Sequence, residues 1–372
     1  IHYEILNKLH IDEELLKEDI EELSKFAYKI KSEKYIDAKR LDFVQSFGEM
    51  MSSKIVAAQL NNIGIKARAF NSWDVGFLTT AEFGNAEPIE TAYLSLKRNM
   101  KKLNVVPVIT GFIGKTENGE ITTLGRGGSD YTASIFGSAI DANEIQIWTD
   151  VDGIMSADPK IVDNAKTIAK VSFAEASELA YFGAKILHPK TILPAMSRSI
   201  PVRVLNSFNL KNKGTIILSK VDKSRQIVKA IAYKKNITLI HVESTRIFGA
   251  IGFLARLFNV FNKHNKSVDV VSTSEISVSL TIDDSYGIGS ILQELKEIAH
   301  VKVLKNKAIV CVVGDGMRNS VGVISRTFNT LENNNINIEM ISQGASKINI
   351  TFIVDGKNAE KAVKVLHRDY FR

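Results

Sequence analysis

The chain has 372 residues, 45% apolar and 24% charged, a balance that suits two or three globular domains and excludes a fibrous or disordered chain. No apolar run approaches the ~18 residues of a membrane span, and Cys311 is the only cysteine, which rules out a disulfide framework or a cysteine-based zinc site within the chain. The net charge of +7 is spread among acids without a basic block interleaved with aromatics, so nucleotide phosphate fits as the anionic partner better than nucleic acid or a membrane surface.

The lone cysteine suits a reducing compartment, and because the sequence opens at Ile1 rather than methionine, a start and any targeting peptide it carried are expected to be missing. Residues 5–38 carry Leu15, Leu16, Ile20, Leu23, Phe26 and Ile30 at helical spacing, and a second helix is expected over residues 43–62. Short β-branched runs then alternate with helical patterns: "KARAF", "VVPVITGF", "IQIWTDVDGI" and "IPVRVLN". Such alternation predicts a mostly parallel sheet covered on both faces, with residues 105–112 as a strand buried on both sides. Ligands of such sheets bind beyond the carboxyl ends of the strands, which places "GFIGK" and "TDVDGI" on a functional rim.

From about Asp222 the pattern changes. "GFLARLFNVFNKHNKSVDVV" returns in outline as "GVISRTFNTLENNNINIEMI" at an offset of 70 residues: Gly252 with Gly322, Arg256 with Arg326, Phe258 with Phe328, Asn265 with Asn335. The match continues into alternating strands, with Val278, Leu280 and Ile282 opposite Ile348, Ile350 and Phe352. A fixed period means two copies of one supersecondary unit, here a small α+β module with an antiparallel sheet. No catalytic constellation falls in either copy, so a glycine-led helix start suits ligand or partner binding instead.

The run "TTLGRGGSDYTA" combines paired glycines, which allow positive φ and free backbone amides, with Arg126, a planar fork for carboxylate or phosphate, and Asp130, an acceptor for ammonium. Alone it reads first as a capped strand-to-helix turn. "GFIGKT" is not a P-loop, because Ile109 stands where that loop needs its first glycine, and "HRD" at His367 lacks every companion of a protein-kinase catalytic segment. "WTDVDGIMSADPK" gathers Thr149, Asp150, Asp152, Asp158 and Lys160 around a turn able to meet a nucleotide, or to be simply solvated. "FGAKILHPK" adds Lys185 and His188, and "SFGEMMSS" puts Glu49 on a helix.

Together the turn, "SFGEMMSS", "TGFIGK", "WTDVDGI", "FGAKILHP" and the duplicated module resemble the aspartokinase family from about Asp37 to Arg372. The resemblance implies an α/β amino-acid kinase-like three-layer αβα sandwich with a mostly parallel sheet over residues 1–222. Two ferredoxin-like α+β ACT modules follow, over 223–304 and 305–372, with interleaving of the two as the alternative arrangement. The implied reaction is ATP-dependent phosphorylation of the L-aspartate side-chain carboxylate to 4-phospho-L-aspartate, the first step toward lysine, threonine and methionine.

The resemblance also assigns residues. Arg126 corresponds to the arginine that holds the α-carboxylate of aspartate, Glu49 and Asp130 to carboxylates near its α-ammonium, and Phe112 and Ser129 to other pocket positions. Thr149, Asp150 and Lys185 correspond to nucleotide contacts, with Lys185 at the ADP phosphate; Met155 and Lys160 stand where tyrosine and arginine are common in the adenosine pocket. ATP comes with Mg2+, and no protein metal ligand is assigned. Lysine is the implied inhibitor at the first module, with Gly252, Phe253 and Leu254 at the helix start and Ser267, Val268, Asp269 and Glu275 on the following strand and loop. A homodimer or higher homo-oligomer through the ACT modules is expected, in the cytoplasm, or in a plastid if a transit peptide preceded Ile1.

The family's "KFGGTS"-like opening loop is absent, so this chain is expected to be weakly active or inactive. Two readings compete: a non-catalytic amino-acid-binding regulator built from a kinase remnant and ACT modules, and a related kinase acting on glutamate or a nucleotide monophosphate.

Overall fold

The computed structural model describes residues 1–182, 189–221, 226–243, 252–283 and 287–371. The chain packs as two compact units, one made of Ile1–Trp148, Leu187–Val204 and Ile216–Ser219, the other of Thr149–Ile186, Leu205–Thr215 and Lys220–Arg372. In chain order come α1 (His2–Leu9), α2 (Lys17–Glu33), α3 (Ala38–Asn62), β1 (Ala67–Phe70), α4 (Ala92–Met100), β2 (Val106–Ile109), β3 (Ile113–Lys115), β4 (Ile121–Thr123) and α5 (Gly128–Ala139). Then follow β5 (Ile145–Thr149), β6 (Lys170–Ser172), α6 (Phe173–Tyr181), α7 (Leu193–Ser197), β7 (Val202–Asn206) and β8 (Thr215–Leu218). None of the described helices is long and apolar enough to cross a membrane.

In the first unit, the stripe expected over residues 5–38 becomes two helices, closed at His10 and Lys34 by left-handed residues with φ of 55° and 50°. Leu6 and Leu16 are fully buried against Phe47, Met51 and Ile55 of α3, with Leu15, Ile20 and Leu23 around them. Asp37 caps α3 by accepting the N–H of Arg40 at 2.8 Å, so the helix begins five residues earlier than periodicity alone marks it.

β1 and β2 pair in parallel, from Ala67 with Val106 to Phe70 with Ile109. The expectation that residues 105–112 form one strand buried on both faces is corrected here. The strand ends at Ile109, and Val106 is 48% exposed. Pro107 explains this: proline has no N–H for a second ladder, and β2 is paired with β1 alone. Ile113–Lys115, expected within a rim loop, instead forms an antiparallel hairpin with β4. β5, β7 and β8 lie side by side in that order.

The second unit is built on six antiparallel strands. Its further elements are β9 (Ala230–Glu243), α8 (Phe253–Lys263), β10 (Val271–Thr273), β11 (Ser277–Ile282), α9 (Ile288–Ile298) and β12 (His300–Val313). α10 (Val323–Glu332), β13 (Met340–Ser342), β14 (Asn349–Asp355) and α11 (Ala359–Tyr370) complete it. The sheet order is β10-β11-β9-β12-β14-β13, so the two repeats share one sheet through the 14-residue strands β9 and β12. β9 and β12 pair in two stretches, 239–243 with 300–304 and 230–237 with 307–313, separated by register shifts between Leu304 and Ile309. Each repeat therefore takes one half of each long strand.

The 70-residue offset is visible in the backbone. Gly252 and Gly322 take φ of 82° and 86°, Asn265 and Asn335 take 50° and 54°, and Asn236 and Asn306 take 61° and 56°. Asparagine tolerates this left-handed region because its short side chain bonds locally. The matched core positions are filled alike: Phe261 and Leu331, Leu280 and Ile350, and Ile282 and Phe352 are all essentially inaccessible.

Candidate active site

In the first unit, an open cleft of about 650 Å³ has α3 as one wall and the turn at residues 125–130 as the other. Leu41, Gln45 and Glu49 recur every four residues and so face the cleft on successive turns of α3. Asp42, beside them, is 1% exposed. One of its carboxylate oxygens accepts the N–H groups of Gly84 and Thr123, both at 2.8 Å, and the other accepts the Thr123 hydroxyl at 2.7 Å. That single carboxylate fastens α3 to β4 and to the loop at Gly84. The sequence reading missed it.

The turn itself needs its glycines. Gly127, with φ of 70°, is the residue from which α5 starts; the Gly128 N–H donates to the Gly125 carbonyl at 3.0 Å, which leaves the amides of Ser129 and Asp130, both at the cleft, as the first-turn donors without intrahelical partners. A Cβ on Gly128 would stand 2.6 Å from a ring carbon of Phe112, so only glycine allows the two loops to touch. Phe112 has φ of 65°, a left-handed conformation that costs a bulky residue about 1–3 kcal/mol. Two hydrogen bonds hold it there: its N–H donates to the Thr132 hydroxyl at 3.0 Å, and its carbonyl accepts the Leu124 N–H at 2.9 Å.

The cleft brings together Glu49, Phe112, Arg126, Ser129 and Asp130, all singled out from sequence. Arg126 and Ser129 are exposed, whereas Glu49 and Asp130 are half-buried. Burial raises the pKa of both carboxyl groups, and among the described residues no cation offsets it. A guanidinium and two under-compensated carboxylates on one cleft form a charge pattern complementary to a small zwitterion.

The Glu49 shift has a measurable sign. The folded protein holds this proton more tightly than the unfolded chain, so ionising Glu49 costs stability. That cost is absent below the ordinary glutamate range and complete above the raised value. Glu49→Gln is therefore expected to unfold at higher urea than the parent near about pH 8, with the gap closing toward about pH 4. Identical midpoints at both pH values would refute the desolvation argument.

Thr149, Asp150, Met155 and Lys160, the described residues expected at the nucleotide, follow one another from the end of β5 into the loop beyond it. Thr149 donates to Asp150 at 3.2 Å, Met155 bridges to Thr167, and Asp150 and Lys160 are exposed. Asp152, grouped with these acids from sequence, is occupied by the side-chain amides of Asn206 at 2.8 Å and Asn209 at 3.1 Å, so it braces the loop. Asp158 accepts the N–H of Lys160 at 2.9 Å. Lys185 and His188 lie outside the described residues. His367 of "HRD" is 1% exposed, 2.9 Å from the Ser156 hydroxyl and stacked on Phe371, and burial lowers its pKa. It is a core residue.

In the first repeat, Gly252, Leu254, Ser267 and Glu275 are exposed, Val268 is half-buried, and the Phe253 side chain is in the core, leaving only its backbone amide for a ligand. The Asp269 side chain is 5% exposed; its Oδ1 accepts the Tyr181 hydroxyl at 3.0 Å, and its Oδ2 is buried without a hydrogen-bond partner.

The amino acid kinase family model matches residues 5–206 and an ACT domain model matches residues 310–370. Aspartokinase 1, chloroplastic, of Arabidopsis thaliana is 41% identical over 385 residues, covering all of this chain and 68% of the relative. The crystal structure of E. coli aspartokinase III in complex with aspartate and ADP is 36% identical with a TM-score of 0.83, covering 96% of this chain and 82% of that one. The same enzyme in complex with lysine and aspartate gives a TM-score of 0.79 at 36% identity, with the same coverages. The chain thus belongs to the aspartokinases of the amino acid kinase family, enzymes that transfer a phosphoryl group from ATP to aspartate.

Proposed function

We propose that the cleft at residues 125–130 binds L-aspartate, with the Arg126 guanidinium on its α-carboxylate and Glu49 and Asp130 on its α-ammonium. The observation that carries this reading is the placement of one cation and two burial-shifted carboxylates on one cleft. Ser129 and the first-turn amides of α5 line the same wall and suit a carboxylate or developing phosphate charge. Phe112, held in its strained conformation, shapes the floor.

ATP is assigned to the loop carrying Thr149, Asp150, Met155 and Lys160, with Lys185 at its phosphates. Magnesium is assigned to the nucleotide, as MgATP, because it keeps to phosphate and carboxylate oxygens. Phosphoryl transfer needs little covalent chemistry from the protein. Positioning the aspartate carboxylate and neutralising charge on the phosphate are the tasks these residues perform.

The first repeat is assigned as the effector site. The lysine complex of the E. coli enzyme supports L-lysine as its ligand. Here the backbone amides after Gly252 meet the α-carboxylate, and the acids Asp269 and Glu275 meet the ammonium groups. A homo-oligomer through the ACT modules is part of this reading.

The test is aspartate-dependent ADP release, with the acyl phosphate trapped by hydroxylamine. Aspartate is expected to support turnover, glutamate is not, and added lysine is expected to suppress it. Equal turnover with glutamate would overturn the substrate assignment.

A further inference from the structure

α6 lies along the six-stranded sheet of the second unit, and three of its side chains, three residues apart, are anchored there. Glu175, fully buried, accepts the N–H of Asp315 at 2.7 Å and lies 3.4 Å from the Lys229 ammonium. Glu178 accepts the side-chain amide of Asn349 at 2.5 Å. Asp315 and Asn349 belong to the second repeat, and Lys229 leads into β9 beside the end of β12. The last residue of α6, Tyr181, reaches the first repeat instead and donates to Asp269 Oδ1 at 3.0 Å.

Around Asp269 the charges are unevenly matched. Lys234 is 3.8 Å away but pairs more closely with Asp283, and its ammonium stands 5.6 Å from the Tyr181 ring. Burial and the neighbouring Asp283 carboxyl push the Asp269 pKa up to about 6. A buried carboxylate with one oxygen unpartnered and its nearest cation engaged elsewhere is ready to accept a further donor.

We propose that Tyr181 is the positioning residue through which occupancy of Asp269 reaches the kinase segment. An ammonium ligand that takes the unpartnered Oδ2 of Asp269 draws the carboxylate toward itself and away from the Tyr181 hydroxyl on Oδ1, releasing the C-terminal end of α6. That end lies four residues before Lys185 in the sequence. The anchors at Glu175 and Glu178 are untouched by such a ligand, so the helix loosens at one end only. The inference rests on the assignment of lysine to the first repeat.

The ligand-free contact favours the active arrangement, and deleting it tilts the balance toward the inhibited one. Tyr181→Phe keeps the ring and its edge contact with Phe182, at 5.0 Å between centroids, and removes only the hydroxyl. Lysine is expected to inhibit this variant at about five- to tenfold lower concentration, and to bind it tighter by a similar factor in calorimetry, while the aspartate KM stays within about twofold. If lysine binds and inhibits the parent but neither constant shifts in Tyr181→Phe, or inhibition weakens, the role of Tyr181 is overturned while the effector site stands. If the parent binds no lysine, the effector assignment itself fails and takes the proposal with it. A lower melting temperature with unchanged lysine constants would mark Tyr181 as structural only.

Discussion

Arg126→Ala is expected to lower kcat/KM for aspartate by about ten- to a hundredfold while leaving nucleotide affinity nearly unchanged. A hydrogen-bonded ion pair to a carboxylate is worth about 1.5–3 kcal/mol, and each 1.36 kcal/mol is a factor of ten in rate. Arg126 is exposed on the cleft and makes no ion pair with another described residue, so its removal disturbs no internal network. Arg126→Lys keeps the charge without the planar fork and should recover only part of the loss. Aspartate saturation at fixed MgATP, with nucleotide titration of the same folded variant, separates the two effects. An unaltered aspartate KM and kcat would remove Arg126 from the substrate site.

Asp42→Ala is expected to be the most destabilising single change at the cleft. It leaves two backbone N–H groups and one hydroxyl without their acceptor, in a place where the parent carboxylate is 1% exposed. At about 1–3 kcal/mol for each buried group left unsatisfied, partly relieved by entering water, the loss should reach roughly 3 kcal/mol or more. Asp42→Asn retains the shape but presents an amide N–H₂ toward donors, so it is expected to fall between the parent and Asp42→Ala. Urea midpoints for the three proteins provide the measurement. A variant as stable as the parent would mean that Asp42 does not fasten α3 to β4.

These two residues also mark what a sequence makes readable. Arg126 stands out because its neighbours are glycines, serine and aspartate, a local grouping whose chemistry does not depend on distant contacts. Asp42 sits in "KRLDFVQ", an unremarkable stretch of charged amphipathic helix; its importance arises from Thr123, 81 positions away. The 70-residue repeat was legible because equivalent side chains face equivalent cores. Interleaving of the repeats enters only through the family resemblance and not from the residues themselves, because strand pairing over long separations, as between β9 and β12, leaves no periodic trace. Asn236 and Asn306 were the available hint, a matched pair of left-handed residues beside the register shifts. The apolar run at residues 105–112 misleads for a simpler reason: its hydrophobicity suits a buried strand, whereas Pro107, with no N–H, limits β2 to an edge.

The shared sheet also bears on how the protein is made. Ala230 pairs with Val313, and the first half of β9 belongs to the sheet of the second repeat. On the ribosome, that half-strand emerges long before β12 and β14, and until they follow it offers an unpaired edge made largely of apolar residues. The nascent chain must therefore guard this strand against pairing with the same segment of a neighbouring chain. The charged run Lys234, Lys235 in its middle, exposed or half-exposed in the finished fold, sits where it can serve as that guard.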